Sequence, residues 1–265
     1  MSETSRQDKN EPQLEQEPDV SKREHLTEGF RPIMACVGTR EEYGGEIDTI
    51  ENIENVGHNV NFRAHPDLLK MHGFKNAGLE TYVVSPIDEK PKFTENLFNC
   101  TSIIAVGRQK NTGKEISFLT HQNPEAFLGS QKESFIKDLE EQIKKLKEEC
   151  IDGSIDIVIA GGQITQNYAS EKNYAPEYKN SLDLLDSVVN GSIGFHPLVI
   201  CGPKGERRDF DGEIIDFLKD DVRFDTQKRR LFITRPPQHI QDLHNRPFKV
   251  SDMGKIDKEW QKEDK

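Results

Sequence analysis

The chain has 265 residues, and 36 Lys and Arg against 47 Asp and Glu leave a net charge of −11. That acidic balance excludes a general nucleic-acid binder, which needs a basic face for the phosphates. Hydrophobic residues make up only 33% of the chain, too few to order every residue, so part of it is expected to stay unfolded.

Residues 1–29 are rich in Glu, Gln, Asp, Ser and Lys with scattered apolar positions, which predicts a disordered acidic tail. MSETSRQDKN lacks the apolar core of a signal peptide, and no apolar run approaches a membrane span. Cys36, Cys100, Cys150 and Cys201 lie far apart with no CxxC pair, as in a reduced protein. The expectation is a cytoplasmic protein with no membrane or nucleic-acid partner. Secretion without a cleaved signal and the oligomeric state are left open.

Pro32 to Gly38 reads as a short strand closed by its glycine, and GGEIDTIENIENVGHNVN as a loop or a poor helix. PDLLKMH, opened by Pro66 and ended by Gly73, predicts a short helix. LETYVVSP is apolar, β-branched and stopped by Pro86, a strand. CTSIIAVG and ISFLTH form a β-hairpin about Thr112-Gly113. In SQKESFIKDLEEQIKKLKEEC, Phe135, Leu139, Ile143 and Leu146 share one helical face, with Ser130 as cap and Glu133 completing a capping box. IDIVIAGG is a buried-type strand running into two glycines. Tyr178 to Val189 is a second amphipathic helix and HPLVICG a further strand. VRFDTQKRRLFITR is a closing hairpin turning at Asp225 to Lys228. Residues 236–265, from PPQHIQDLHNRPF to the charges around Trp260, read as an extended arm. The predicted class is α+β, a layered α/β sandwich with a mixed, largely antiparallel sheet packed by two long helices.

The chemistry centres on Cys100 and His121, at the open end of the hairpin. Antiparallel pairing sets the start of one arm beside the end of the other, with facing Cβ atoms about 4.5–5.5 Å apart. A thiol becomes a thiolate beside a base or a cation, and an imidazole supplies both. The competing reading is of Cys100 as a small packing residue and His121 as a turn residue, and spacing alone favours it.

The flanking sequence carries more. LETYVVSP, then Thr94 six residues before Cys100, then CTSIIAVG, the hairpin to His121, a long helix, IDIVIAGG, a second helix and VRFDTQKRRLFITR follow in one order. From Leu79 to Arg235 this order resembles the chemoreceptor glutamine deamidase family, CheD, and more loosely the catalytic domain of the cytotoxic necrotizing factor toxins. The resemblance implies Cys100 as nucleophile, His121 as base and Thr94 as the third member. Thr101 and Ser102 are substitutes for Thr94, and backbone N–H groups around Cys100 and Thr101 would hold the oxyanion. It also implies a tight turn at Gly161-Gly162 beside the site, with Gln163 facing the pocket. Phe98 and Asn99 stand where the family has Gly-Ser, and in the second helix only Asn180 echoes its Gly-x-Arg-Asn stretch. These departures point to a substrate other than a chemotaxis receptor. The expected organisation is a tail over 1–29, an extension of unknown role over 30–78, a CheD-like domain over 79–235 and an arm over 236–265.

The expected function is a cysteine-dependent deamidase of glutamine or asparagine side chains exposed on a protein substrate, with no cofactor and no metal. The alternatives are an inactive binding or regulatory module on the same fold, and a transglutaminase or small-amide amidase. His58, His65 and His72 recur every seven residues, but Gly57, Pro66 and Gly73 interrupt any common helical face, so no metal site is expected there. Arg229-Arg230 read as exposed turn residues, and Lys137, Lys144, Lys145 and Lys147 as a solvated face among Glu140, Glu141, Glu148 and Glu149. Cys201 is the rival nucleophile, with His196 at odd spacing a poor partner.

Overall fold

The structure, a computed structural model, describes residues 23–56, 73–74, 82–98, 100–162, 181–202, 206–208, 214–217 and 219–235. The helix at Pro66, the three spaced histidines, Gln163, residues 178–180 and the arm around Trp260 lie outside these residues, as do residues 1–22 of the expected tail.

In chain order the elements begin β1 (Met34–Gly38), α1 (Arg40–Ile47), β2 (Glu54–Asn55), β3 (Tyr82–Val84), β4 (Lys92–Leu97), β5 (Thr101–Arg108) and β6 (Glu115–Gln122). They continue with α2 (Pro124–Leu128), α3 (Lys132–Glu149), β7 (Asp156–Gly161), α4 (Ser181–Ile193) and β8 (Leu198–Cys201). A small ribbon of β9 (Glu206–Arg208) and β10 (Ile214–Phe217) precedes β11 (Asp220–Asp225) and β12 (Arg230–Thr234).

The class is α+β, but two five-stranded mixed sheets stand where the sequence suggested one, with strand orders β1-β12-β11-β4-β2 and β3-β6-β5-β7-β8. Strand alternation explains the stacking. On β5, Ile104 and Val106 face a core shared with Ala35, Val37, Leu97, Val222 and Leu231 of the other sheet. Ile103 and Ala105 face the opposite way, against Phe135, Leu139, Ile143 and Leu146 of α3 and Leu185 and Val189 of α4. A strand buried on both faces has to read as a continuous apolar run, as CTSIIAVG and IDIVIAGG do. The local pattern carries no label for which sheet a strand joins, and β4, with polar residues among its apolar ones, is a strand that the sequence reading did not include.

Several expectations change. The described start of segment 30–78 is not set apart: β1 pairs in parallel with β12 from Met34↔Arg230 to Gly38↔Thr234, and Ile33 lies in the inter-sheet core. Residues 23–29 of the expected tail dock as well. The Thr27 N–H donates to the Gly153 carbonyl at 3.0 Å, and His25 stacks on Phe195 with ring centroids 3.5 Å apart. The buried Asp156 carboxylate, which accepts the Ile33 N–H at 2.7 Å, draws Arg23 and His25 towards it. A composition averaged over a long stretch hides so short a docking segment.

Helix α3 carries its apolar face as the spacing predicts, but its N-cap is Gln131 with no side-chain bond, not Ser130. The preceding α2 buries Ala126 and Phe127 and so dictates how the chain enters α3. The capping box sits instead at Thr39 and Glu42 and starts α1 within the stretch read as a loop or a poor helix.

Arg229 is fully buried, not exposed. Its Nη2 donates to Glu115 Oε2 and to the Ser154 carbonyl, both at 2.7 Å, and its Nη1 to the Arg31 carbonyl at 2.7 Å. The turn falls at Thr226 to Arg229, one residue beyond the expected Asp225 to Lys228, so Arg229 is itself a turn residue, with a left-handed φ of 51°, and its guanidinium is inside.

Candidate active site

Cys100 occupies a corner between the two sheets. The chain leaves the first sheet at Leu97 and joins the second at Thr101, with Cys100 immediately before β5. Asn96 makes the bend: its φ of 62° is left-handed, its N–H donates to Asp221 Oδ1 at 3.0 Å, and the β4–β11 register shifts there. A bulge of this kind turns a strand and re-aims its side chains.

Hairpin β5–β6 is antiparallel, with Gly113 at φ 70° in its turn. Its register of Thr101↔Gln122 and Ile104↔Leu119 puts Ser102, not Cys100, directly opposite His121. Cys100 is the diagonal neighbour on the same face, at a Cα spacing of about 7–8 Å. The facing pair expected from sequence is therefore a diagonal one. Both residues look into the inter-sheet space, and Cys100 belongs to the apolar cluster there that also holds Leu97, Val83 and Leu119.

From the opposite sheet, Thr94 completes the group. Its Oγ1 lies 2.6 Å from His121 Nδ1 in a hydrogen bond between two buried side chains. Neither substitute for Thr94 takes this place. Thr101 points to the helix side and accepts from Gln122 Nε2 at 2.8 Å, while Ser102 Oγ donates to the Thr120 carbonyl at 2.6 Å.

Gly161 and Gly162 clasp the backbone of the cysteine. The Gly162 N–H donates to the Cys100 carbonyl at 2.9 Å, and a Cβ on Gly161 would sit 2.6 Å from that same oxygen. Both glycines have positive φ, 91° and 77°, a conformation that L side chains resist. Close approach to Cys100 requires the first glycine, while a Cβ on Gly162 would meet the Thr101 and Leu182 side chains at 3.0 and 3.1 Å.

Burial pushes the Cys100 thiol up from 9.0 to about 12, so at neutral pH the resting sulfur is protonated. Cys36 and Cys150 are raised to about 12 by the same cause. His196 is an exposed residue bonded to Asp186 at 2.8 Å.

A second buried pair lies at this end of the sandwich. Asp220, register partner of Leu97, receives Arg235 Nε on its two oxygens at 2.9 and 3.2 Å. Burial raises the Asp220 carboxyl from 3.8 to about 7, against the pull of Arg235. The folded state therefore binds the proton more tightly than the unfolded chain. The stabilising contribution of this group is complete below the unfolded value of 3.8 and is lost as pH rises through about 7. Unfolding curves of the native protein and Asp220→Asn should diverge accordingly, with the native protein losing ground to the variant as pH increases. A difference that stays flat across that range would place the proton elsewhere.

Sequence reasoning missed Thr120 and Gln122, whose side chains tie β6 to β5 on either side of His121. The only signal available was the hydroxyl-rich pattern of CTSI against LTHQ. Among the described residues, no helix is long and apolar enough to cross a membrane. The chain matches no family model and no curated protein.

Proposed function

We propose that the chain is a cysteine-dependent amidohydrolase of CheD-like design that deamidates glutamine or asparagine side chains of a protein. The reading rests on one observation, the 2.6 Å bond between Thr94 and His121 Nδ1 on the face where Cys100 packs. The reading takes the tautomer in which Nδ1–H donates to the threonine hydroxyl, which makes Nε2 the basic nitrogen of the ring. A base oriented by a third group next to a thiol is the arrangement nucleophilic catalysis requires.

The resting thiol is neutral, so its proton passes to His121 Nε2 as the sulfur–carbon bond to the carboxamide forms. The oxyanion then takes a backbone donor. Backbone N–H groups around Cys100 and Thr101, at the mouth of β5, are the donors within reach. The carbon–nitrogen bond breaks, and His121 returns the proton to the departing ammonia. Water, deprotonated by the same imidazole, adds to the thioester, the carbon–sulfur bond breaks, and the proton goes back to sulfur. The apolar inter-sheet cluster to which Cys100 belongs suits an uncharged carboxamide better than a carboxylate.

A second reading, a binding module without chemistry, is favoured by the 8% exposure of Cys100, typical of a packing cysteine. A peptide carrying a chloromethyl ketone in place of a glutamine side-chain amide separates the two. The deamidase reading expects the thiolate to displace chloride at Cys100 of the folded protein. Labelling should fall at least roughly a hundredfold in His121→Ala, the scale of a lost general base. Labelling that ignores His121, or that spreads equally over Cys36 and Cys150, leaves the binding module standing.

A further inference from the structure

Hairpin β5–β6 departs from an ordinary ladder at His121. The Cα register holds on both sides, but between its two flanking pairs side-chain hydroxyls take over the bonding. The Ile103 N–H donates to Thr120 Oγ1 at 2.8 Å, while Ser102 Oγ donates to the Thr120 carbonyl at 2.6 Å. Just beyond, Gln122 Nε2 donates to Thr101 Oγ1 at 2.8 Å. Thr101, Ser102, Ile103, Thr120 and Gln122 are all completely buried. Thr120 and Gln122, the two chain neighbours of His121, are therefore both anchored to β5 through side chains.

A hydroxyl interposed in a ladder sets the local spacing and tilt of two strands, because backbone groups then meet through a side chain instead of directly. The residue carried between two such anchors inherits that tilt. His121 needs it: its ring has to reach across to Thr94 on the other sheet and also lie along the diagonal to Cys100.

We propose that Thr120, partnered by Ser102, is a positioning residue whose hydroxyl splice into the β5–β6 ladder aims the His121 imidazole between Thr94 and Cys100. The link to chemistry rests on Cys100 and His121 being the reacting pair, whereas the effect on the ring can be read without it. A purely structural part, in which the hydroxyls merely satisfy buried backbone groups, would cost stability and leave the ring where it is.

The test uses the full chain and four variants: Thr120→Val, Thr120→Ser, Ser102→Ala and His121→Ala. One readout is the ring ¹⁵N shifts of His121, which report which nitrogen carries the proton. The other is the pH profile of Cys100 alkylation by iodoacetamide. Thr120→Val should redistribute the tautomers of His121 and change the Cys100 alkylation rate roughly tenfold, the scale of one lost hydrogen bond. Thr120→Ser, which keeps the hydroxyl, should restore both. If Thr120→Val does not fold, Ser102→Ala carries the same expectation, since it removes the donor to the Thr120 carbonyl without altering β6. Ring shifts that match the native protein in the folded variant overturn the proposal, whatever the stability loss. If His121→Ala leaves the alkylation profile unchanged, the reacting pair fails, and the ring shifts alone judge the splice.

Discussion

Gly161→Ala is expected to lower the stability of the fold by roughly 2–5 kcal/mol and to displace Cys100 with it. Two costs combine. At φ 91° a side chain strains the backbone, and the added methyl would lie 2.6 Å from the Cys100 carbonyl, an atom of the main chain that has no rotamer to escape into. The Gly162 N–H bond to that carbonyl would be stretched or broken as the strands part. Urea unfolding measures the loss, and the chloromethyl ketone probe measures the displacement. Gly191 supplies the control: it lies in α4, and an added Cβ meets nothing within 4 Å. Gly191→Ala should therefore stabilise the protein by about 0.5–1 kcal/mol through helix propensity. Equal effects of the two substitutions would mean that the turn beside Cys100 tolerates a side chain, and the clasp would lose its physical basis.

The second large effect belongs to Glu115→Ala, with an expected loss of about 3–5 kcal/mol. Glu115 is the carboxylate opposite Arg229, whose Nε and Nη2 donate to Glu115 Oε2 at 3.1 and 2.7 Å, and it also receives Arg108 Nε at 3.0 Å. Arg229 is completely buried, so removing the acid strands a guanidinium in the interior, and that desolvation cost outweighs the value of the contact itself. Glu115→Leu combined with Arg229→Met should recover much of the loss, because no buried charge then lacks a partner. The recovery stays incomplete, since the Arg31 and Ser154 carbonyls lose the donors they have in Arg229. Thermal unfolding of the single and double variants measures the coupling. A loss near zero for Glu115→Ala would mean that water reaches the guanidinium and that the pair is not part of the core.

The first effect falls at a glycine turn expected beside Cys100, the second at an arginine read from sequence as exposed and buried in the fold. Features with a local cause were legible. Phe135, Leu139, Ile143 and Leu146 face the second sheet because helical periodicity is written in neighbouring residues. The β5–β6 and β11–β12 hairpins follow from short-range turn chemistry. Cys100 and His121 came together on one face for the same reason, since a hairpin joins segments close in sequence. The capping box at Thr39 and Glu42 was equally local, but the weak apolar pattern after it obscured the helix it starts.

What the sequence determined by itself, then, is the α+β class, the acidic balance, the helix faces and the hairpin that carries Cys100 and His121. The tertiary structure decided that β4 and β5 belong to different sheets, and hence that Thr94 meets His121 across the core. It also decided that Ser102 faces His121 while Cys100 lies on the diagonal, that β1 closes against β12, and that Arg229 is internal. Each of these depends on pairing between residues far apart in the chain. Side-chain periodicity says which face of a strand is apolar, but the strand's partner and register are fixed by the packing of the whole core.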